Sequence, residues 1–176
     1  MSDLKSHVRL IGLSEIQMCD VRSGGEYPTT AASFSTIGNV VPDSCHFVIE
    51  QPAVTDIYVE EEDTPDLTIF GTRKLFLEFA VRDMGTKTLI KAFGGVAVTT
   101  LYSFPTTTNV YTEQAIKATG KTINGKKVQV EIPRASVVGG GDLKFARTDT
   151  GTLTFTCSVL LPASSGVIPP VQIRQV

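Results

Sequence analysis

Apolar and polar residues alternate along most of this chain, and the pattern is clearest on either side of one interruption. Leu75, Leu77, Phe79 and Val81 fall on one face, and Phe76, Glu78 and Ala80 on the other. A period of two in aliphatic and aromatic company predicts a strand with at least one buried face. The rhythm then lengthens. Ile90 and Leu89 lie three and four residues before Phe93, and Gly94-Gly95 follows where a helix end needs positive φ. With Asp83 as its N-cap, this predicts a short helix that buries Leu89, Ile90 and Phe93 and leaves Lys87 and Lys91 in water. A lone helix in a β-rich chain covers the open side of a sheet or barrel.

The remaining pattern supplies strands, one long loop and two arms. Residues 1–9 read as a polar arm, Ile11 to Val21 as an imperfect strand, and residues 22–36, with Gly24-Gly25 and Pro28, as a long loop. Such a loop inside a compact domain implies a task or a partner. Strands over Cys45–Glu50 and Val54–Glu60 are separated by Gln51-Pro52, since proline has no N–H for a ladder. The acidic run Glu60, Glu61, Glu62 and Asp63 reads either as a solvated turn or as a loop meeting basic groups on a neighbouring subunit. Val96 to Phe104 reads as one apolar strand, closed by Pro105 and a Thr-rich loop. Glu113–Ile123 and Lys126–Ile132 flank Asn124-Gly125, the signature of a type I′ hairpin, with Val128, Val130 and Ile132 on one face. Gly139-Gly140-Gly141 suggests a flexible bend. The last long strand sets Leu153, Phe155, Cys157, Val159 and Leu161 against Thr152, Thr154, Thr156 and Ser158. Residues 162–176 form an extended C-terminal arm in which Val171 and Ile173 follow Pro169-Pro170, so these two and the acidic run are the candidate inter-subunit residues.

Composition narrows the class. A chain of 176 residues reads as a single domain. It is 41% hydrophobic and only 19% charged, with mean hydropathy +0.11, which points either to a large core or, as the preferred reading, to apolar surface buried against other copies. A net charge of −2 offers no cationic surplus for gripping phosphates. The first residues carry charge and no apolar core of a signal peptide, and no apolar run is long enough to span a bilayer, so no membrane insertion is expected. Cys19, Cys45 and Cys157 are odd in number and lack CxxC spacing, which suits synthesis in a reducing cytoplasm.

Chemistry is sparse. Ala115 to Thr122 has the spacing of a permissive phosphate loop, but it runs into a hairpin turn where that motif needs a helix. Gly139 to Asp142 precedes no helix start that would make it an anion nest. His7 and His46 are far apart, and His46 and Cys45, adjacent on a strand, point to opposite faces. The expectation is therefore no catalytic residues, no metal site and no cofactor: a protein that is not an enzyme.

The order of elements is informative in itself: strand, short helix, Gly-Gly, strand, a hairpin ending in Glu131-Ile132-Pro133-Arg134-Ala135, a glycine-bearing segment and a last long strand. With the phrases LIKAFGG, VEIPRASV and LTFTCSVLLP, the stretch from Asp66 to Pro162 resembles the tail tube proteins of long-tailed bacteriophages, a family similar to the tube protein of type VI secretion systems. The resemblance implies a β-sandwich or half-barrel with one flanking helix, completed to a continuous β-barrel when six subunits form a ring. It further implies stacked rings in the virion tail, other tail proteins as partners, and DNA passing through without sequence-specific binding. On that footing Thr152, Thr154, Thr156 and Ser158 are candidates for the lumen wall, the alternative being an ordinary solvent-facing strand surface. Two rival classes stand beside this one: another β-rich virion component, such as a tail terminator or decoration protein, and a small-molecule-binding β-barrel.

Overall fold

In a computed structural model, the chain is described at residues 10–21, 34–58, 64–106, 111–122, 127–145, 150–163 and 168–175. The N-terminal arm, most of the loop at 22–36, the acidic run and the Asn124-Gly125 turn lie outside these. The fold is mainly β, with one helix among the described residues, and matches the expected half-barrel class.

The main sheet is built on a 19-residue strand, β10 (Lys127–Phe145). One side of β10 pairs antiparallel with β9 (Thr112–Thr122), the hairpin partner expected from the Asn-Gly signal. Beyond β9 come β1 (Leu10–Asp20) and β2 (Ser35–Ile37). On the other side follow β11 (Thr150–Val159), β6 (Leu75–Val81) and β3 (His46–Ile49). The register with β9 shifts between Ile132 and Ala135, where Pro133 has no N–H to give. The segment after β2 crosses to the far edge: Val40 bridges to Val81, and Val41 N–H donates to Ala80 O at 2.8 Å. The sheet thus curls without closing as one ladder. Its concave face holds Ile16, Met18, Leu77, Ile116, Ile132 and Val137, all at most 1% exposed. Phe79 and Phe155, opposite each other on β6 and β11, stack with centroids 4.8 Å apart.

Helix α1 (Thr86–Phe93) plugs one end of this concavity, and of the residues expected to be buried Leu89 and Phe93 pack against the core while Ile90 does not. Thr88 and Ala92 are buried, whereas Leu89, Ile90 and Phe93 are half-buried. The reason is close approach. A Cβ at Gly139 would lie 2.5 Å from the Ala92 carbonyl oxygen, so the helix backbone rests almost directly on β10. Only small side chains fit directly beneath it, and Leu89 and Phe93 pack against the core half-buried beside them. The glycine run is accordingly no flexible bend: Gly139, Gly140 and Gly141 pair in register with Phe155, Thr154 and Leu153. Nor does Asp83 occupy the N-cap, which is Gly85. From two residues upstream, Asp83 accepts hydrogen bonds from the Gly85 N–H at 2.8 Å and the Thr88 hydroxyl at 3.0 Å.

Three further expectations change. Ser35 and Thr36, read as loop, belong to β2, where Ile37 is 6% exposed and fixes the strand to the core. Residues 96–104 are not one strand but a hairpin, β7 (Val96–Val98) and β8 (Leu101–Ser103), turned at Thr99 with φ 56°. The strand after Pro52 is β4 (Val54–Ile57), and it pairs with β5 (Leu67–Phe70), a strand the alternation did not single out. Finally, β12 (Gln172–Gln175) lies on β10 of its own chain, opposite Val128–Glu131.

The helix seat yields a test. Gly139→Ala forces its methyl against helix backbone, which cannot rotate away, and should cost about 1–3 kcal/mol. Gly140→Ala meets only the Thr154 hydroxyl, at 2.8 Å, on a side chain free to turn. Urea melts should show Gly139→Ala clearly the more damaging; equal effects would remove the close helix contact from the account.

Candidate assembly surfaces

The residues that set this surface apart are apolar and exposed. The pairing of β3 with β6 runs on past the sheet: Glu50 N–H donates to Lys74 O, Gly71 N–H donates to Ala53 O, and β4 then pairs with β5. Pro52 interrupts the ladder at the point where this two-stranded arm leaves the sheet. Ile57, Leu67 and Ile69 lie on one face of the arm, Val54 and Phe70 on the other, all exposed, Phe70 at 67%. A two-stranded hairpin has no core of its own. The β7–β8 hairpin repeats the arrangement at the helix C-terminus. It is tied down by the Tyr102 hydroxyl donating to Gly94 O at 2.8 Å and by Phe104 against Phe93, yet Val96, Val98 and Leu101 face solvent. The sequence reading missed both hairpins. Their signals were short apolar runs broken at Gly71 and at Thr99-Thr100.

The last strand separates as its alternation required over Leu153 to Ser158 but not at its end, where Val159 is half-buried and Leu161, beyond β11, is 63% exposed. Leu153, Phe155 and Cys157 are at most 2% exposed, while Thr154, Thr156 and Ser158 are exposed and Thr152 is half-buried. The hydroxyls occupy the face of β11 turned away from the helix. Of the candidate inter-subunit residues, Glu60, Glu61, Glu62 and Asp63 lie outside the described residues; Val171 is half-buried against the core and Ile173 is 60% exposed on β12.

Ionic contacts tie separate elements to one another. Lys91, expected in water, has a side chain only 14% exposed; its ammonium donates to Asp20 Oδ1 at 2.7 Å and to Gln114 Oε1 at 3.0 Å. Gln114 Nε2 donates to the same Asp20 oxygen at 2.7 Å, so the helix is tied to both β1 and β9. Burial alone would raise the Asp20 carboxyl, but the bonds from Lys91 and Gln114 outweigh it and hold it below its usual range. Glu131, 5% exposed, lies 3.6 Å from Lys117 Nζ and bonds Arg174 on β12. At the bulge, the Arg134 guanidinium grips Glu113 with two hydrogen bonds of 2.9 Å.

The end of the half-barrel away from the helix stays open as a cavity of about 680 Å³, with Leu13, Ile37, Phe47, Leu77, Val128 and Val130 in its walls. Cys45 sits there too, its thiol pushed up to about 11 by burial, and Cys157 is raised for the same reason. Ala115 to Thr122 lies within β9, as the hairpin reading required. Among the described residues no group of His, Cys, Asp and Glu is arranged to hold a metal ion, and no helix is long and apolar enough to cross a membrane. Comparison with known protein families and with curated proteins finds no match for the chain.

Two tests follow from these contacts. Lys91→Ala should cost about 1–2 kcal/mol at neutral pH, since it removes two hydrogen bonds from a charged donor to partly screened partners. Lys87→Ala, at an exposed position, should stay within about 0.5 kcal/mol. The Asp20 carboxyl is lowered on folding, so its contribution is complete above the unfolded value near 4 and fades as pH falls through the folded one. The Lys91 penalty should therefore shrink in acid, which melts at a series of pH values would read. Phe155→Lys should prevent folding by burying an unpaired charge, whereas Thr156→Lys on the exposed face should leave the melting temperature nearly unchanged. Circular dichroism of the two variants checks this directly.

Proposed function

We propose that this chain is a self-assembling structural subunit of a phage tail tube, six copies closing into a ring and the rings stacking into a conduit for DNA. The observation that carries the reading is the pair of apolar hairpins, β4–β5 and β7–β8, which stand off the sheet with Val54, Leu67, Phe70, Val98 and Leu101 in water. Apolar surface of this kind marks a site of contact with another chain. The half-barrel with one helix, the order of elements and the resemblance of residues 66–162 support the same reading. The exposed hydroxyl row of β11 suits a lumen wall, because hydroxyls stay hydrated and offer phosphates no cation.

The open cavity favours a second reading, a barrel that binds an apolar small molecule, since its volume falls in the range of ligand pockets. Negative-stain microscopy and size-exclusion chromatography of purified protein separate the classes. Stacked rings or tubes are the expected result. Single rings would assign the chain to a tail terminator, and a persistent monomer would favour the ligand-binding barrel.

A further inference from the structure

The C-terminal strand covers an edge that a second copy of this chain is equally equipped to cover. β11 and β12 lie on the same side of β10, both antiparallel to it, one opposite Ala135–Phe145 and the other opposite Val128–Glu131. Residues 160–171 connect them, and the Leu160 N–H still donates to Arg134 O at 2.9 Å. β12 therefore caps the free half of β10's edge as a separate four-residue piece.

Its attachment is shallow on the apolar side and specific on the polar side. Ile173, Arg174 and Gln175 are exposed, so little hydrophobic surface holds β12 in place. What holds it is the backbone ladder with β10 and one ionic latch. Arg174 donates to Glu131, a carboxylate 5% exposed, and to Gln129 Oε1 at 3.2 Å. Lys117, directly opposite Glu131 on β9, completes the charge cluster. The latch is polar, directional and self-contained, and it reads the sequence of the strand that fills the slot. Apart from Val171 against the core, these contacts need nothing from the chain that donates the strand.

We propose that β12 is exchanged between copies on assembly, each subunit's β12 leaving its own β10 to pair with Val128–Glu131 of a second copy and placing its Arg174 on that copy's Glu131. An exchanged strand reproduces the ladder and the ionic latch it gives up, which makes exchange a low-cost route to association. The length of the connection sets how far away the second copy's slot can lie. Residues 163–171 extend to at most roughly 30 Å, and Pro169-Pro170 keeps the end next to the strand from collapsing into helix. The occupant of the slot is identified by the structure itself, an antiparallel strand reading Gln-Ile-Arg-Gln with its arginine over a buried glutamate. Edge addition of this kind takes its affinity from main-chain hydrogen bonds and its specificity from such side-chain sites.

This proposal rests on the assembly reading above, and its test separates the two. Val130 and Ile173 face each other in the register, so cysteines at these positions are placed to form a disulfide. Full-length Val130→Cys and Ile173→Cys chains are mixed in equal amounts, assembled and oxidised, and a chain carrying both substitutions is treated alike. Expected is a covalent dimer joining the two different variants in the assembled fraction, absent when either variant is oxidised alone. Charge repulsion gives a second reading: Arg174→Glu should abolish the mixed dimer and reduce assembly at least tenfold while circular dichroism still shows a folded subunit, its melting temperature lowered by the loss of the latch to the buried Glu131. If assemblies form with no bond between chains, and the doubly substituted chain closes only on itself, exchange is overturned and assembly stands. If no assembled fraction forms at all, both ideas fall.

Discussion

The absent side chain at Gly139 lets the Ala92 carbonyl rest where a Cβ would otherwise lie 2.5 Å away, and much of the fold follows from that approach. An eight-residue helix has too few hydrogen bonds to hold itself in water. It persists because it lies against the sheet with Thr88 and Ala92 sealed beneath, while Lys91, Thr112 and Tyr102 fasten its C-terminal turn. Glycine in a strand costs roughly 0.5–1 kcal/mol against alanine. Here that loss is offset by the contact it permits, the burial of Ala92 directly against β10.

A strand of 19 residues imposes the second constraint. β10 serves β9 along one side and both β11 and β12 along the other, so a single flat strand would carry the sheet away from its own core. The bulge at Pro133-Arg134 bends it, with Pro133 buried and the arginine clamped to Glu113. The outer strands of the sheet path, β2 and β3, are short, three and four residues, which limits casual edge-to-edge pairing. Among the described residues, apolar exposure is concentrated in the two hairpins, β4–β5 and β7–β8.

How much of this was legible depended on the range of the interaction. Strand β6, the β9–β10 hairpin and the two faces of β11 follow from period-two alternation and an Asn-Gly turn, both local signals; the exceptions are Glu131, buried beside Lys117 and Arg174, and Leu161, exposed beyond the end of β11. The helix was legible as an element but not in its seating, because Ala92 is buried by a glycine some fifty positions away and no local pattern carries that information. Lys91 was misplaced for the same reason: its partners Asp20 and Gln114 come from two other strands. The glycine triplet looks like a bend in sequence and is a strand in the fold, since pairing with Leu153–Phe155 outweighs its intrinsic freedom. At the candidate surfaces, the alternation of β11 was readable, while the hairpins emerged only once their neighbours failed to cover them.

The exposed hairpins also carry a thermal consequence. Covering aliphatic and aromatic surface is driven by entropy near room temperature and lowers the heat capacity of the system. Any contact that hides Val54, Ile57, Leu67, Phe70, Val98 and Leu101 therefore tightens on warming and slackens in the cold. Such a joint responds little to salt screening, unlike one made of ion pairs. A particle held together through these faces is loosened first by chilling.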